Sequence, residues 1–343
     1  MRSLQEGLNG PKHFRRNRLK AAGMKTTAIL ICAGIMILGC FREAAQAQVK
    51  QKIIIQYPAT ASIGGVLPWI AKEKGFFSKN SLEAELVFTT AATAMQALLA
   101  GSIDIAIGDV LAPLAAFAGG ADVVVIGSFA NSTPYIMAAK AAARGVGDLK
   151  GGKIGIQSPT GRGTIFTRFV LEEAGLDPDR DVQLLRVGGT GARVAALVAG
   201  HIDGALVNPG VADQVKKAGL NALNLRGVSF IDAELHVMRR RLDERRSALL
   251  GAFRAIKEAA AYMKSERSGS VDVIQKLMRV DDRQVAETAY DVWAQYVVTD
   301  PRIPSKVIQE TLRLAERVDP RMKQVNVQRL FDMGFANQLE SGK

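Results

Sequence analysis

The sequence predicts a two-lobed α/β protein, each lobe a mainly parallel sheet flanked by helices, with a helical C-terminal segment. Three observations carry this. Short apolar runs alternate with helical stretches from Lys52 onward, the same order returns once along the chain, and beyond about Leu235 only helical periodicity remains. Apolar runs alternating with helices are the pattern of parallel sheets buried on both faces.

In order, KIIIQY (residues 52–57) reads as a strand and GGVLPWIAKEKGFF (64–77) as a helix ending near Gly75. LEAELVF (82–88) is a strand, TAMQALLAG (93–101) a helix closed by Gly101, and IDIAIG (103–108) and ADVVVIGSF (121–129) are strands. The order then repeats. IIIQYP (53–58) matches IGIQSP (154–159), and TTAATAMQALLAGSIDIAIGD (89–109) matches GGTGARVAALVAGHIDGALVN (188–208) at a constant offset of 99. Two matches in one order predict two βαβαβ lobes of like topology, with helix N-termini at the carboxyl ends of the strands, where open α/β sheets bind ligands. The tail stretches from Leu242 to Arg317 are amphipathic and group no catalytic side chains, so they read as scaffold.

The chain has 343 residues, is 48% hydrophobic and carries a net charge of +12. Half of that charge lies in the first 47 residues. Basic residues elsewhere are scattered and aromatics are 6%, which argues against a nucleic-acid binder. The leader explains the bias: basic RRNRLKAAGMK, an apolar run of about 15 residues, and Ala45-Gln46-Ala47 as an A-x-A cleavage site. Residues 1–47 are thus expected to be a cleaved export signal, and the protein periplasmic. ILGC, ending at Cys40, is an imperfect lipobox and keeps a lipid-anchored form as an alternative; FRRNRLK partly matches a twin-arginine signal, and Met24 is a second candidate start. Both cysteines, Cys32 and Cys40, fall in the leader, and His201 and His236 are the only histidines beyond it. That composition argues against disulfide scaffolds, thiolate metal sites and histidine-based catalysis, and calls for no metal and no cofactor.

The stretch KIGIQSPTGRGTIFTRFV (153–170) runs a strand into a glycine loop and then a helix. It lacks the lysine of a P-loop, and Phe166 stands where a dinucleotide fingerprint needs its third glycine. An anion cradle or a plain turn remains.

ASIGGVLPWIAKEKGFFSKNSLEAELVF, ALLAGSIDIAIGDVLAPL, DLKGGKIGIQSPTG and ALVAGHIDGALVNPGVADQ together resemble the nitrate/sulfonate/taurine-type solute-binding proteins of bacterial ABC importers, over roughly Lys52 to Gly219. The resemblance implies the type II periplasmic-binding-protein fold, with two crossovers and a ligand cleft. It divides the chain into lobe 1 (48–136 plus 236–343) and lobe 2 (137–235), with hinges near Tyr135–Ala142 and Ser229–Met238. It implies capture of a small organic anion, a sulfonate or carboxylate, and delivery to a membrane permease and its ATPase, by a monomer without enzymatic activity. Two alternatives are a ligand-presenting sensory protein and a thiamine-pyrimidine-synthase-like enzyme; the latter relies on histidine and a cysteine-rich motif that the mature chain lacks.

Ligand contacts are then expected at the loops after equivalent strands. In lobe 1 these are Thr60, Ala61, Ser62, Thr89, Thr90, Ala91 and Asp109, with Asn131 near the crossover. In lobe 2 they are Ser158, Thr160, Gly161, Arg162, Gly163, Thr164, Gly189, Thr190, Arg193 and Asn208. Arg162 and Arg193 are suited to pair with a carboxylate or sulfonate, or else point to solvent. Each Ser or Thr, and Asp109, has helix capping as a competing role. Asp104 and Asp203 in the repeated A-G-x-I-D turn, and Trp69, are expected to be structural.

Overall fold

A computed structural model describes residues 50–159, 162–225, 228–317 and 319–340. The expected leader (1–47) and the loop residues Thr160 and Gly161 lie outside the described residues. Among the described residues, ten strands form two five-stranded sheets. The first contains β1 (Gln51–Tyr57), β2 (Leu82–Phe88), β3 (Ile105–Asp109) and β4 (Val123–Thr133); the second contains β5 (Ile136–Ala139), β6 (Lys153–Ile156), β7 (Gln183–Arg186), β8 (Gly204–Val207) and β9 (Asn221–Asn224). The chain then returns to the first sheet as β10 (Val228–Met238). The strand orders are β2-β1-β3-β10-β4 and β7-β6-β8-β5-β9. Each sheet is mainly parallel with one antiparallel strand, β10 in the first and β5 in the second. Those two strands arrive by the crossovers, so each sheet takes its reversed member from the chain entering from the other.

The helices of the first half are α1 (Ile63–Glu73), α2 (Phe76–Lys79), α3 (Ala91–Ala100) and α4 (Leu111–Ala118). The second sheet carries α5 (Arg162–Glu173), α6 (Thr190–Val198) and α7 (Ala212–Lys217). The tail forms α8 (Arg239–Glu244), α9 (Arg246–Ser265), α10 (Arg267–Met278), α11 (Arg283–Tyr296), α12 (Ser305–Glu316), α13 (Val327–Leu330) and α14 (Gly334–Glu340). Helices α9 and α10 pack on α1, and α12 packs on β10. Helix α3 stops at Gly101, whose φ of +75° closes the helix in the left-handed region.

The repeat is visible in hydrogen bonds. Asp104 Oδ2 accepts from the Ile54 N–H at 2.9 Å, and Asp203 Oδ2 accepts from the Lys153 N–H at 2.8 Å. Both aspartates tie the turn after a helix to the neighbouring strand, the structural role expected of them. These bonds, the pairings Ile55 with Ile105 and Ile154 with Gly204, and the helix starts at Ile63 and Arg162 all share the offset of 99. Ile55 is therefore the counterpart of Ile154, and the match of Ile53 to Ile154 slips by two residues. A two-residue slip preserves the side-chain alternation of a strand, so the pattern could not detect it.

Two corrections concern the crossovers. The first is Pro134–Tyr135 alone, because β4 ends at Thr133 and β5 begins at Ile136. The second falls between β9 and β10, since Val228–Met238 pairs along its length with β4 and, over Asp232–His236, also with β3. The segment Ser229–Met238, expected as a hinge and partly assigned to lobe 2, is instead a central strand of the first sheet. Aromatic packing pins this region. Phe166 of α5 meets Phe230 of β10 edge-on at 4.9 Å and Tyr135 at 5.4 Å, joining the two sheets through one buried cluster.

Close backbone approach at the start of α1 demands glycine. A Cβ at Gly65 would lie 1.8 Å from the Ala59 carbonyl oxygen, whereas one at Gly163, on α5, would meet nothing within 4 Å. Gly65→Ala is expected to lower stability by about 1–3 kcal/mol through overpacking, while Gly163→Ala leaves it unchanged or slightly raised, both read by urea unfolding.

Candidate functional site

The carboxyl ends of β1, β3, β6 and β8 point the following loops and helix starts toward the space between the sheets. At the first of these ends, Ser62 caps α1: its Oγ accepts from the Gly65 N–H at 3.1 Å and donates to the Ala59 carbonyl at 3.3 Å. The first N–H groups of a helix have no intrahelical acceptor, so this terminus offers donors and a partial positive charge. At the matching place in the second lobe, α5 begins with Arg162. A cavity of about 430 Å³ lies between them, lined by Ala61, Ser62 and Ile63 of one lobe and by Arg162, Asn208 and the Pro209–Val211 turn of the other. Thr133, Pro134, Tyr135 and Asp232 form its floor, and α11 supplies an apolar wall with Val285, Ala289, Val292 and Trp293.

Arg162 crosses the cleft. Its Nη1 lies 3.1 Å from Asp232 Oδ2 and 3.5 Å from Asp109 Oδ2, so a cation of the second lobe sits on two carboxylates of the first. Asp232 also accepts from Thr133 Oγ1 at 3.5 Å, and its Oδ1 accepts from the Ala233 N–H at 2.9 Å. Ala233 has φ +49°, and the β10 register shifts at the same place. The bulge turns the strand locally. Asp109 uses its other oxygen to cap α4, accepting from the Leu111 N–H at 3.1 Å.

Burial pushes the Asp109 carboxyl above its ordinary range, Asp232 adding to the shift and Arg162 opposing it. Burial likewise raises the Tyr135 phenol, again against the pull of Arg162. Burial disfavours charge on Arg162, but Asp232, Tyr135 and Asp109 outweigh it and keep the guanidinium firmly protonated. Behind Asp232 on the same strand, Glu234 is fully buried and its carboxylate lies 2.9 Å from His236 Nδ1. Burial raises Glu234, with His236 opposing. A row of ionisable groups thus runs from the cleft into the first sheet.

Of the expected contacts, Ala61, Ser62, Arg162 and Asn208 line the cavity, and Asp109 holds Arg162. Thr90 caps α3, accepting from the Thr93 N–H at 3.3 Å, and the Thr89 carbonyl accepts from Gln56 Nε2. Thr164 is buried with its hydroxyl on the Ser158 carbonyl at 2.5 Å, and Gly163 accepts from Thr167. Arg193, 6% exposed, donates to the Gly188 carbonyl and, at 3.4 Å, to Thr190 Oγ1. Burial pulls its guanidinium downward, with Tyr135 opposing. Gly189 caps α6. Thr60, Ala91 and Asn131 do not line the cavity; the Asn131 amide oxygen is buried without a donor. Tyr135, Thr133, Asp232 and the α11 wall escaped the sequence reading. Asp232 lay in a supposed hinge, and apolar residues at helical spacing in α11 look like ordinary core.

A larger cavity, about 570 Å³, lies between the far end of α5 (Phe169, Glu173) and α12 (Glu310, Arg313). None of the residues expected to contact ligand lines it, so the smaller cavity is the better candidate.

A family model described as NMT1/THI5 like matches residues 67–267. An Escherichia coli (strain K12) relative named "Putative aliphatic sulfonates-binding protein" is 28% identical over 272 residues, spanning 74% of this chain and 80% of that one. Among solved structures, the periplasmic aliphatic sulphonate binding protein SsuA from Escherichia coli matches with TM-score 0.65 and 21% identity, over 83% of this chain and 96% of that one. The periplasmic nitrate-binding protein NrtA from Synechocystis PCC 6803 matches with TM-score 0.64 and 15% identity, over 85% and 89%. The two-lobed periplasmic-binding fold expected from the sequence is therefore the fold observed.

Because Glu234 keeps its proton to higher pH when folded than its ordinary value of 4.5, its contribution to stability is full below that value and is lost as pH rises through the raised pKa. Glu234→Gln has no such proton to lose. The difference in Tm between Glu234→Gln and the parent protein is expected to grow in favour of the variant as pH rises from about 4.5 to 8, measured by thermal unfolding across that range.

Proposed function

This chain belongs to the NMT1/THI5-like family, and we propose from that premise that it is an extracytoplasmic solute-binding protein of an ABC importer. It captures a small organic anion, a sulfonate or carboxylate, between its lobes and delivers it to a membrane permease and its ATPase. The carrying observation is the 430 Å³ cavity where the Ser62 helix start of one lobe faces Arg162 and Asn208 of the other. Cavities of this size suit small organic ligands. The acid group of the solute sits at the start of α1, where unpaired N–H groups and the helix dipole favour negative charge, and Asn208 closes on it from the second lobe. The hydrocarbon part lies on the α11 wall. Relatives named for sulfonate and nitrate binding support an anionic head group.

Closure is a rigid-body rotation about Pro134–Tyr135 and the passage from β9 to β10, with the Phe166–Phe230 contact as the packed pivot. The ligand shifts the open–closed balance by the contacts it makes only when both lobes touch it. No bond is made or broken, in keeping with a cavity that brings together a helix start, an amide and an ion-paired arginine and aspartate. The leader over residues 1–47 supports a periplasmic location. The protein acts as a monomer.

Trp293 lines the cavity and Trp69 does not, so tryptophan emission reports occupancy. Titration with a panel of sulfonates, carboxylates, nitrate and pyrimidines is expected to give a saturable change with at least one acid, lost in Trp293→Phe, and a matching rise in Tm. A panel without any thermal shift or saturable signal would remove the capture reading. Asn208→Ala is expected to weaken the best ligand about tenfold, the loss of one hydrogen bond to a charged group, measured by calorimetry.

A further inference from the structure

The charge balance of the cavity narrows its ligand. Among the described residues lining it, the carboxylates and cations are Arg162, Asp213 and Asp232, with the Tyr135 phenol beside them. Arg162 is already committed, at 3.1 Å to Asp232 and 3.5 Å to Asp109, the latter just behind the lining. Arg193, the other arginine near these loops, is turned onto the Gly188 carbonyl and the Thr190 hydroxyl and does not line the cavity. One cation thus faces three carboxylates in and beside the space, with buried Glu234 and His236 as a further acid–base pair behind. A simple anion placed here has to compete with two aspartates for one guanidinium while facing Asp232. Among the described residues, its other positive partners are the two helix starts, at Ser62 and at Arg162.

We propose that the solute of this chain carries a protonated amino group as well as its acid group, on a hydrocarbon body. The inference rests on the capture reading given above and specifies its ligand. Asp232 is the counter-ion of the amine, the α1 start holds the acid, and Val285, Ala289 and Val292 cover the hydrocarbon between them. The zwitterion leaves Arg162 on Asp109 and adds no net charge to a space that already has an excess of carboxylates. Opposed charges at the two ends of one ligand also fix its orientation, because reversing it would bring acid against acid.

The test uses matched pairs that differ only in the amine: hexanoate with 6-aminohexanoate, butanoate with 4-aminobutanoate, and propane-1-sulfonate with 3-aminopropane-1-sulfonate. Each is titrated calorimetrically into the purified protein at pH 7.5 and low salt, then into Asp232→Asn. The expected result is that in at least one pair the amino member binds ten-fold or more tighter, and that Asp232→Asn narrows or reverses that preference. If the amine-free member of every binding pair binds as well or better, the amine proposal is overturned while capture stands. If no member of any pair binds but other acids do, the proposal is likewise overturned; if no acid of any kind binds, the capture reading falls and takes the proposal with it. The comparison within pairs needs no variant, so it decides the matter even if Asp232→Asn fails to fold.

Discussion

The ion triad of Arg162 with Asp109 and Asp232 is the interaction on which the arrangement between the lobes depends. Each side chain is roughly a quarter to a third exposed, and the three come from the first residue of a helix in one lobe and from two strands of the other. Removing water from such charges is costly, and their mutual attraction has to offset that cost. Every partner is therefore held by something else. Asp109 caps α4, Asp232 is fixed by Thr133 and by the backbone of its own bulge, and Arg162 is set by the helix it begins. The triad thereby makes the relative position of the sheets a matter of defined contacts rather than of loop length.

Packing behind the triad makes that geometry mechanically plausible. Four residues after Arg162, one turn along α5, Phe166 enters the cluster with Phe230 and Tyr135. Helix α5 is thus anchored in the aromatic cluster while its first residue reaches across the cleft. On the other side, α11 contacts the Pro209–Val211 turn of the second lobe. The C-terminal segment, expected as scaffold, is therefore also a wall of the candidate site. It adds Val285, Ala289, Val292 and Trp293 to the apolar part of the cavity.

The two lobes are built alike but are not chemically alike. With the offset of 99, Ile63 at the start of α1 corresponds to Arg162 at the start of α5, and Asp109 after β3 corresponds to Asn208 after β8. One lobe offers an uncharged helix start with acids beside it; the other offers a guanidinium and an amide. Crossing the pairs places cation against carboxylates and amide opposite the bare helix start. The repeated backbone supplies the positions, and the few substituted side chains supply the polarity of the site.

Periodicity and the repeat determined by themselves the class of fold, the two sheets and the helical tail, because buried strands and capped helices leave a local signature. Asp104 and Asp203 were legible as structural for the same reason: their partners are one strand away in a repeated turn. Only the tertiary structure decided that Arg162 turns inward while Arg193 satisfies its own helix start, since the difference lies in which carboxylates stand opposite each guanidinium. Asp232 and the α11 wall were likewise invisible, being brought to the cleft by a strand that joins the first sheet after the second is complete and by a helix more than 200 residues beyond Ser62. Local pattern records what a residue's own element needs; the partners that fix charge and ligand arrive from parts of the chain that no local pattern connects.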